Sequence, residues 1–205
     1  EAELRALRAQ LNPHFLFNSL NSLRGLVTED PARAQEAITG LAALLRFALL
    51  SSRARTITLE RELEATRHYL DLERLRFEAR LRHRIEVDPE ALDHPVPPML
   101  VQTLVENAIK HGIAKLPDGG AIRIEATRRS HDLYLRVTNT GTLTATGKSG
   151  GIGLANSLER LRLAFGDRAQ LTLSTSAPGE VSCEVIVPTP ASPPATELVA
   201  VRKAP

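Results

Sequence analysis

Apolar residues repeat in two rhythms along the chain, and the change of rhythm near residue 81 separates a helical first part from a stranded second part. Leu4, Leu7 and Leu11 recur at spacings of three and four, and Leu16, Leu20, Leu23 and Val27 continue on a displaced stripe. Residues three and four apart share a helix face, so the pattern predicts one long helix over residues 2 to 27. Pro13 falls inside it. An interior proline lacks a backbone donor and crowds the preceding turn, so a bend is expected there, beside His14.

Asp30-Pro31 reads as a second helix start, with a capping acceptor followed by a residue whose missing N–H suits the first helical position. Ala34, Ala37, Ile38, Leu41, Leu44, Leu45 and Ala48 then form a stripe of period near 3.6. The short connector implies an antiparallel hairpin. Two helices bury only one seam, so the hairpin is expected to complete its core against a second copy, as a four-helix bundle in a homodimer. Thr58 can cap a third helix, with Glu60 and Glu62 in its first turn and Leu59, Leu63, Thr66, Leu70 and Phe77 on one side.

Beyond residue 81, short alternating runs predict strands around Ile85 and Val87, Ile122 and Ile124, Leu133 to Val137, Leu171 and Leu173, and Val181 to Val187. Helices are expected at about 97 to 112 and 153 to 165. The order gives an α+β fold, a mixed sheet with helices on one face. The expected division is a helical hairpin over 1–55, a connecting helix over 56–80, an α/β sandwich over 81–188 and a disordered tail over 189–205, where Pro, Ala, Ser and Thr dominate.

A length of 205 residues accommodates a small helical module and one compact domain. Lys and Arg exceed Asp and Glu by two, which excludes the dense basic surface that binding a phosphate backbone demands, and nucleic acid is not expected as a partner. The single cysteine, Cys183, lies in an alternating segment and reads as a small buried hydrophobe. No uninterrupted apolar run approaches the ~20 residues that span a bilayer, and there is no secretory signal pattern. The chain starts at Glu1, already helical in pattern, and is expected to be cut from a longer one.

Three segments carry candidate chemistry. The run Leu104 to Gly112 places Glu106, Asn107, Lys110 and His111 within two helical turns. A carboxylate, an amide oxygen, a cation and an imidazole on neighbouring positions suit magnesium and phosphates, although a solvated helix face has the same composition. Gly147 to Leu154 is glycine-rich and runs into a helix, so backbone amides can approach an anion at a helix start. It lacks the earlier glycine of a Walker loop. The third segment, Gln10 to Asn21, concentrates Asn, Pro, His and Phe around His14. His68, His83, His94 and His131 show no metal-ligand spacing.

The strings Asn12-Pro13-His14-Phe15-Leu16-Phe17-Asn18, Pro98 to Gln102 leading into Leu104 to Gly112, and Gly151-Ile152-Gly153-Leu154-Ala155-Asn156 resemble, in this order, the LytS/YehU-type sensor histidine kinases of the GHKL ATPase superfamily. The resemblance implies a GHKL-type sandwich after the hairpin, ATP and Mg2+ as cofactors, and His14 as the phosphoacceptor. It implies that Asn107 holds magnesium through its side-chain oxygen, that Glu106 polarises the attacking group or accepts its proton, and that Lys110 and His111 touch phosphates. It also places Asn139, Gly141, Gly151, Ile152, Gly153 and Leu154 at the nucleotide, and Asn18, one turn from His14, where it could orient water for dephosphorylation.

Two departures stand out. Phe15 occupies the place where many histidine kinases carry an acid, and Asn139-Thr140-Gly141-Thr142-Leu143 replaces the usual Asp-x-Gly-x-Gly of adenine recognition. An asparagine oxygen still accepts a hydrogen bond from the adenine amine. The implied function is ATP-dependent autophosphorylation and transfer to an aspartate of a response-regulator receiver domain. The implied setting is cytoplasmic, with contact to a membrane only through a sensor segment upstream. A nucleotide-impaired dimeric scaffold, and a GHKL ATPase or serine kinase, are the alternatives.

Overall fold

The computed structural model describes residues 13–51, 54–143 and 151–189. Residues 2–12 of the predicted first helix, the bend expected at Pro13, the glycine-rich residues 147–150 and the tail from 190 onward lie outside the described residues.

Helix α1 (Pro13–Glu29) and helix α2 (Pro31–Ser51) form the hairpin, joined at Asp30. The Asp30 carboxylate accepts the N–H of Arg33 at 3.1 Å, the cap that the Asp-Pro pair promised. Helix α3 (Leu59–Phe77) starts where Thr58 accepts the N–H of Arg61 at 3.4 Å. It packs against both α1 and α2, so the chain itself supplies part of the second seam that sequence assigned to another copy. Phe15, Ser19 and Leu23 of α1 and Ala34, Leu41, Leu44 and Ala48 of α2 are buried. An apolar surface remains exposed nevertheless, with Phe17 69%, Leu20 55% and Ile38 50% accessible.

One expectation changes for α2. By length and composition it is apolar enough to cross a membrane, a test that a core helix of a soluble protein also passes. Counting uninterrupted apolar residues missed this, because a window tolerates the few charges that break a run. In the fold it packs against α1 and α3.

The second part is a five-stranded mixed sheet of β2 (Leu81–Val87), β4 (Gly120–Arg129), β5 (Asp132–Thr140), β6 (Gln170–Ala177) and β7 (Glu180–Val187), in the order β2-β4-β5-β7-β6. Only β2 and β4 run parallel, with Leu81 opposite Gly120. A separate two-stranded pair joins β1 (Ile57–Thr58) to β3 (Pro95–Val96). Two-residue strands show no alternation, which is why sequence did not reveal them. Ile122, Ile124 and Ala126 of β4 and Leu133, Leu135 and Val137 of β5 are buried, and Arg136 and Glu184 pair at 2.8 Å where the strands show their exposed positions.

Helices α4 (Leu100–His111) and α5 (Gly151–Phe165) adjoin the sheet, contacting β5 and β6 respectively. Helix α4 starts later than predicted, because Pro97 and Pro98 precede it and Met99 takes a left-handed conformation, φ 63°. A continuous apolar core runs from Phe15 to Val187 and includes Cys183, whose thiol burial pushes up to about 12. Thr189, first residue of the predicted tail, donates its N–H to Asp132 at 3.3 Å.

Candidate functional site

Helix α4 carries the first candidate set. Its apolar side, Leu104, Val105, Ala108 and Ile109, is buried, which turns Glu106 and Asn107 to half-buried positions and leaves Lys110 and His111 exposed in the last turn. Burial, then the Lys110 and Lys115 cations, hold the His111 imidazole below its ordinary value.

The far end of α4 meets the end of β5. Asn139 follows the inward register of Leu133, Leu135 and Val137 and is 7% exposed. Its amide nitrogen donates to the Thr140 carbonyl at 2.9 Å, so the side-chain oxygen is the group left to accept from a ligand. A side chain at Gly112 would come 2.1 Å from that nitrogen, and one at Gly141, where φ is 155°, would come 3.1 Å from the Gly112 Cα. Both glycines are thus required by the close approach of helix end and strand end.

The other flank of α4 meets α5. A methyl at Gly153 would stand 3.4 Å from Cγ2 of Thr103, in the first turn of α4. Ile152 is 82% exposed, whereas the Leu154 side chain is buried at 3% in the core; only its backbone can face a nucleotide.

His14 is exposed in the first turn of α1, and the Asn18 amide nitrogen lies 3.2 Å from its Nδ1 and 3.3 Å from its Nε2. An amide nitrogen only donates, so it addresses whichever ring nitrogen holds a lone pair. Phe15 turns inward and packs on the Tyr69 ring of α3, centroids 4.7 Å apart. The Tyr69 hydroxyl donates to Glu73 at 3.2 Å, and Arg76 stands 3.5 Å from the same carboxylate. Burial raises both Tyr69 and Glu73; the Glu73 charge raises Tyr69 further, and Arg76 works against the rise at Glu73. Helix α3 contacts both the His14 helix and the Glu106 helix.

Sequence reasoning missed Tyr69, Glu73, Glu62 and Arg160. Glu62 is fully buried and accepts the N–H of Met99 at 2.8 Å and of Gln102 at 3.3 Å. Arg160 of α5 donates to the Pro98 carbonyl at 2.8 Å. The readable signal was position: Glu62 and Glu73 continue the stripe of Leu59, Leu63, Thr66 and Leu70, where a carboxylate needs a partner.

Among the described residues no group of three or more His, Cys, Asp and Glu is arranged to hold a metal ion. Magnesium commonly rests on one or two protein ligands plus substrate phosphates, and half-buried Asn107, with Lys110 and His111 one turn on, fits that mode. A groove of about 930 Å³ lies elsewhere, between the hairpin tip and the start of β2, beside Glu29, Arg33, Arg74 and His83.

The family model described as histidine kinase matches residues 2–81. The sensor histidine kinase BtsS of Escherichia coli K12 is 35% identical over 168 residues, 82% of this chain and 30% of that protein. The sensor protein LytS of Staphylococcus epidermidis is 32% identical over 198 residues, covering 89% and 33%. The sensor histidine kinase/phosphatase LytS of Staphylococcus aureus is 34% identical over 193 residues, covering 87% and 33%. The chain thus spans about a third of the length of these relatives. Among solved structures, the catalytic domain of histidine kinase ThkA matches with TM-score 0.53 at 14% identity, over 66% of this chain and 96% of that one. The histidine kinase domain of the Erythrobacter litoralis blue-light activated kinase EL346 matches with TM-score 0.52 at 13% identity, over 92% and 91%. These two bear on the fold alone.

Proposed function

The chain belongs to the sensor histidine kinases typified by LytS and BtsS, and from that premise we propose that it transfers the γ-phosphoryl group of ATP to His14 and then to an aspartate of a response regulator. The observation that carries this reading is the arrangement around α3, which seats the helix of His14 through Phe15 on Tyr69 and packs against α4, the helix of Glu106 and Asn107.

In this reading a neutral His14 ring nitrogen attacks the γ-phosphorus, forming an N–P bond as the P–O bond to ADP breaks. The ring proton passes to Glu106, the acid that Phe15 does not provide. Asn107 is the protein ligand for magnesium, which when bound spreads the charge of the transferring phosphoryl group. Lys110 and His111 hold phosphates, Gly151, Ile152, Gly153 and the Leu154 backbone line the nucleotide, and Asn139 with Gly141 receives the adenine. Asn18, already at the His14 ring, orients water for dephosphorylation by hydrolysis, and the name of the S. aureus relative includes a phosphatase activity.

The exposed apolar surface of Phe17, Leu20 and Ile38 supports pairing of two hairpins in a homodimer. The kinase portion works in the cytoplasm, tied to the membrane through a sensor segment upstream.

The test is incubation with magnesium and γ-labelled ATP. Acid-labile label on the wild type and none on His14→Ala is the expected result. Acid-stable label on both proteins would favour the serine-kinase alternative.

A further inference from the structure

Pro98 and Met99 share a peptide unit, and that unit is held at both ends. Arg160 of α5 donates to its carbonyl at 2.8 Å, and Glu62 of α3 accepts its N–H at 2.8 Å. Such a hold answers a defect in the sequence. The N-cap position of α4 is Met99, whose side chain makes no capping hydrogen bond to the first free amides and whose backbone sits in the left-handed region. Glu62, 37 residues away in sequence, does the capping instead, its side chain receiving the amides of Met99 and Gln102. A fully buried carboxylate is a costly cap, and a surface serine would have served for stability alone.

What the buried pair adds is connection. Gly153 and Arg160 lie two turns apart on α5, and both meet the start of α4: Gly153 beside Thr103, whose hydroxyl donates to the Met99 carbonyl at 2.6 Å, and Arg160 at Pro98. Leu154, Ser157 and Leu161 of the same helix are buried. Helix α5 and helix α3 therefore both fix the origin of α4, and Asn107 stands two turns along it.

We propose that Glu62 and Arg160 are positioning residues that clamp the Pro98–Met99 peptide and thereby set Asn107 at the distance from α5 that a magnesium-bound nucleotide requires. The inference rests on Asn107 being the magnesium ligand. It concerns no group that touches the nucleotide. Without the clamp, the first turn of α4 loosens and Asn107 loses its register, while the Asn139, Gly112 and Gly141 end of the helix keeps its own contacts.

The test compares ATP affinity by calorimetry, with magnesium and with chelator, for the wild type, Glu62→Gln, Arg160→Met, Arg160→Lys, Asn107→Ala and the exposed control Arg162→Met. The expected result is that Glu62→Gln and Arg160→Met each reduce the affinity gained from magnesium by about five- to tenfold, the scale of a lost helix cap. Metal-free affinity stays within about twofold, Arg160→Lys falls between, and Arg162→Met matches the wild type. A parallel loss of both affinities, or lower melting temperatures with the magnesium gain intact, would show a merely structural pair and overturn the proposal. If Glu62→Gln does not fold, by circular dichroism, Arg160→Met decides. An Asn107→Ala protein that keeps the full magnesium gain would instead overturn the underlying assignment, and the clamp's role with it.

Discussion

Phe15 and Tyr69 stack with centroids 4.7 Å apart, which makes the residue after the phosphoacceptor candidate a buried anchor. The side chain at this place fixes the helix to α3, so His14 stays on the solvent side while its neighbour is in the core. Phe15→Ala is expected to cost about 3–5 kcal/mol, as large aromatic truncations in cores do. Tyr69→Phe keeps the stack but removes the donor to Glu73, and is expected to cost about 1–3 kcal/mol. Chemical denaturation of the two variants checks both; equal, small losses would mean that the contact carries no weight.

Glu62 gives the fold a pH dependence. Burial raises its carboxyl from 4.5 to about 7, against the lowering effect of the Gln102 and Met99 amides and the Arg160 charge. Between those values the folded protein holds a proton that the unfolded chain has lost, so this group's contribution is full below pH 4.5 and disappears as pH rises through about 7. The shift corresponds to about 3 kcal/mol, at ~1.4 kcal/mol per unit. Glu62→Gln is expected to flatten the decline in stability between pH 5 and 7.5 in denaturant titrations. An unchanged slope would assign it to other groups.

Asn139→Asp restores the residue usual in the superfamily, yet stability is expected to fall by about 1–3 kcal/mol. The amide nitrogen that donates to the Thr140 carbonyl would become a carboxylate oxygen facing it, in a site 7% exposed. Thermal melting without nucleotide measures this. A more stable variant would mean that the donated bond is not formed.

Phe17→Asp combined with Leu20→Asp is expected to weaken self-association at least about tenfold, since each exposed side chain stands to bury ~1.5–3 kcal/mol of apolar surface. Sedimentation equilibrium reads the change. Unaltered self-association would move the interface off this face.

Local signals were legible. The Asp30 and Thr58 caps and the alternating strands express constraints within a few residues. Partnerships across the fold were not. That α3 would close the hairpin, that Glu62 would cap a helix 37 residues away, and that Arg160 would reach Pro98 depend on how elements dock. A carboxylate on a buried stripe signals that a partner exists, without naming it.

The central claim is tested most directly by mapping phosphate by mass spectrometry, at neutral to alkaline pH, after incubation with magnesium and ATP. The account predicts phosphate on His14 itself, absent from Asn107→Ala. Phosphate on Ser19 or Ser22 with His14 unmodified would contradict it.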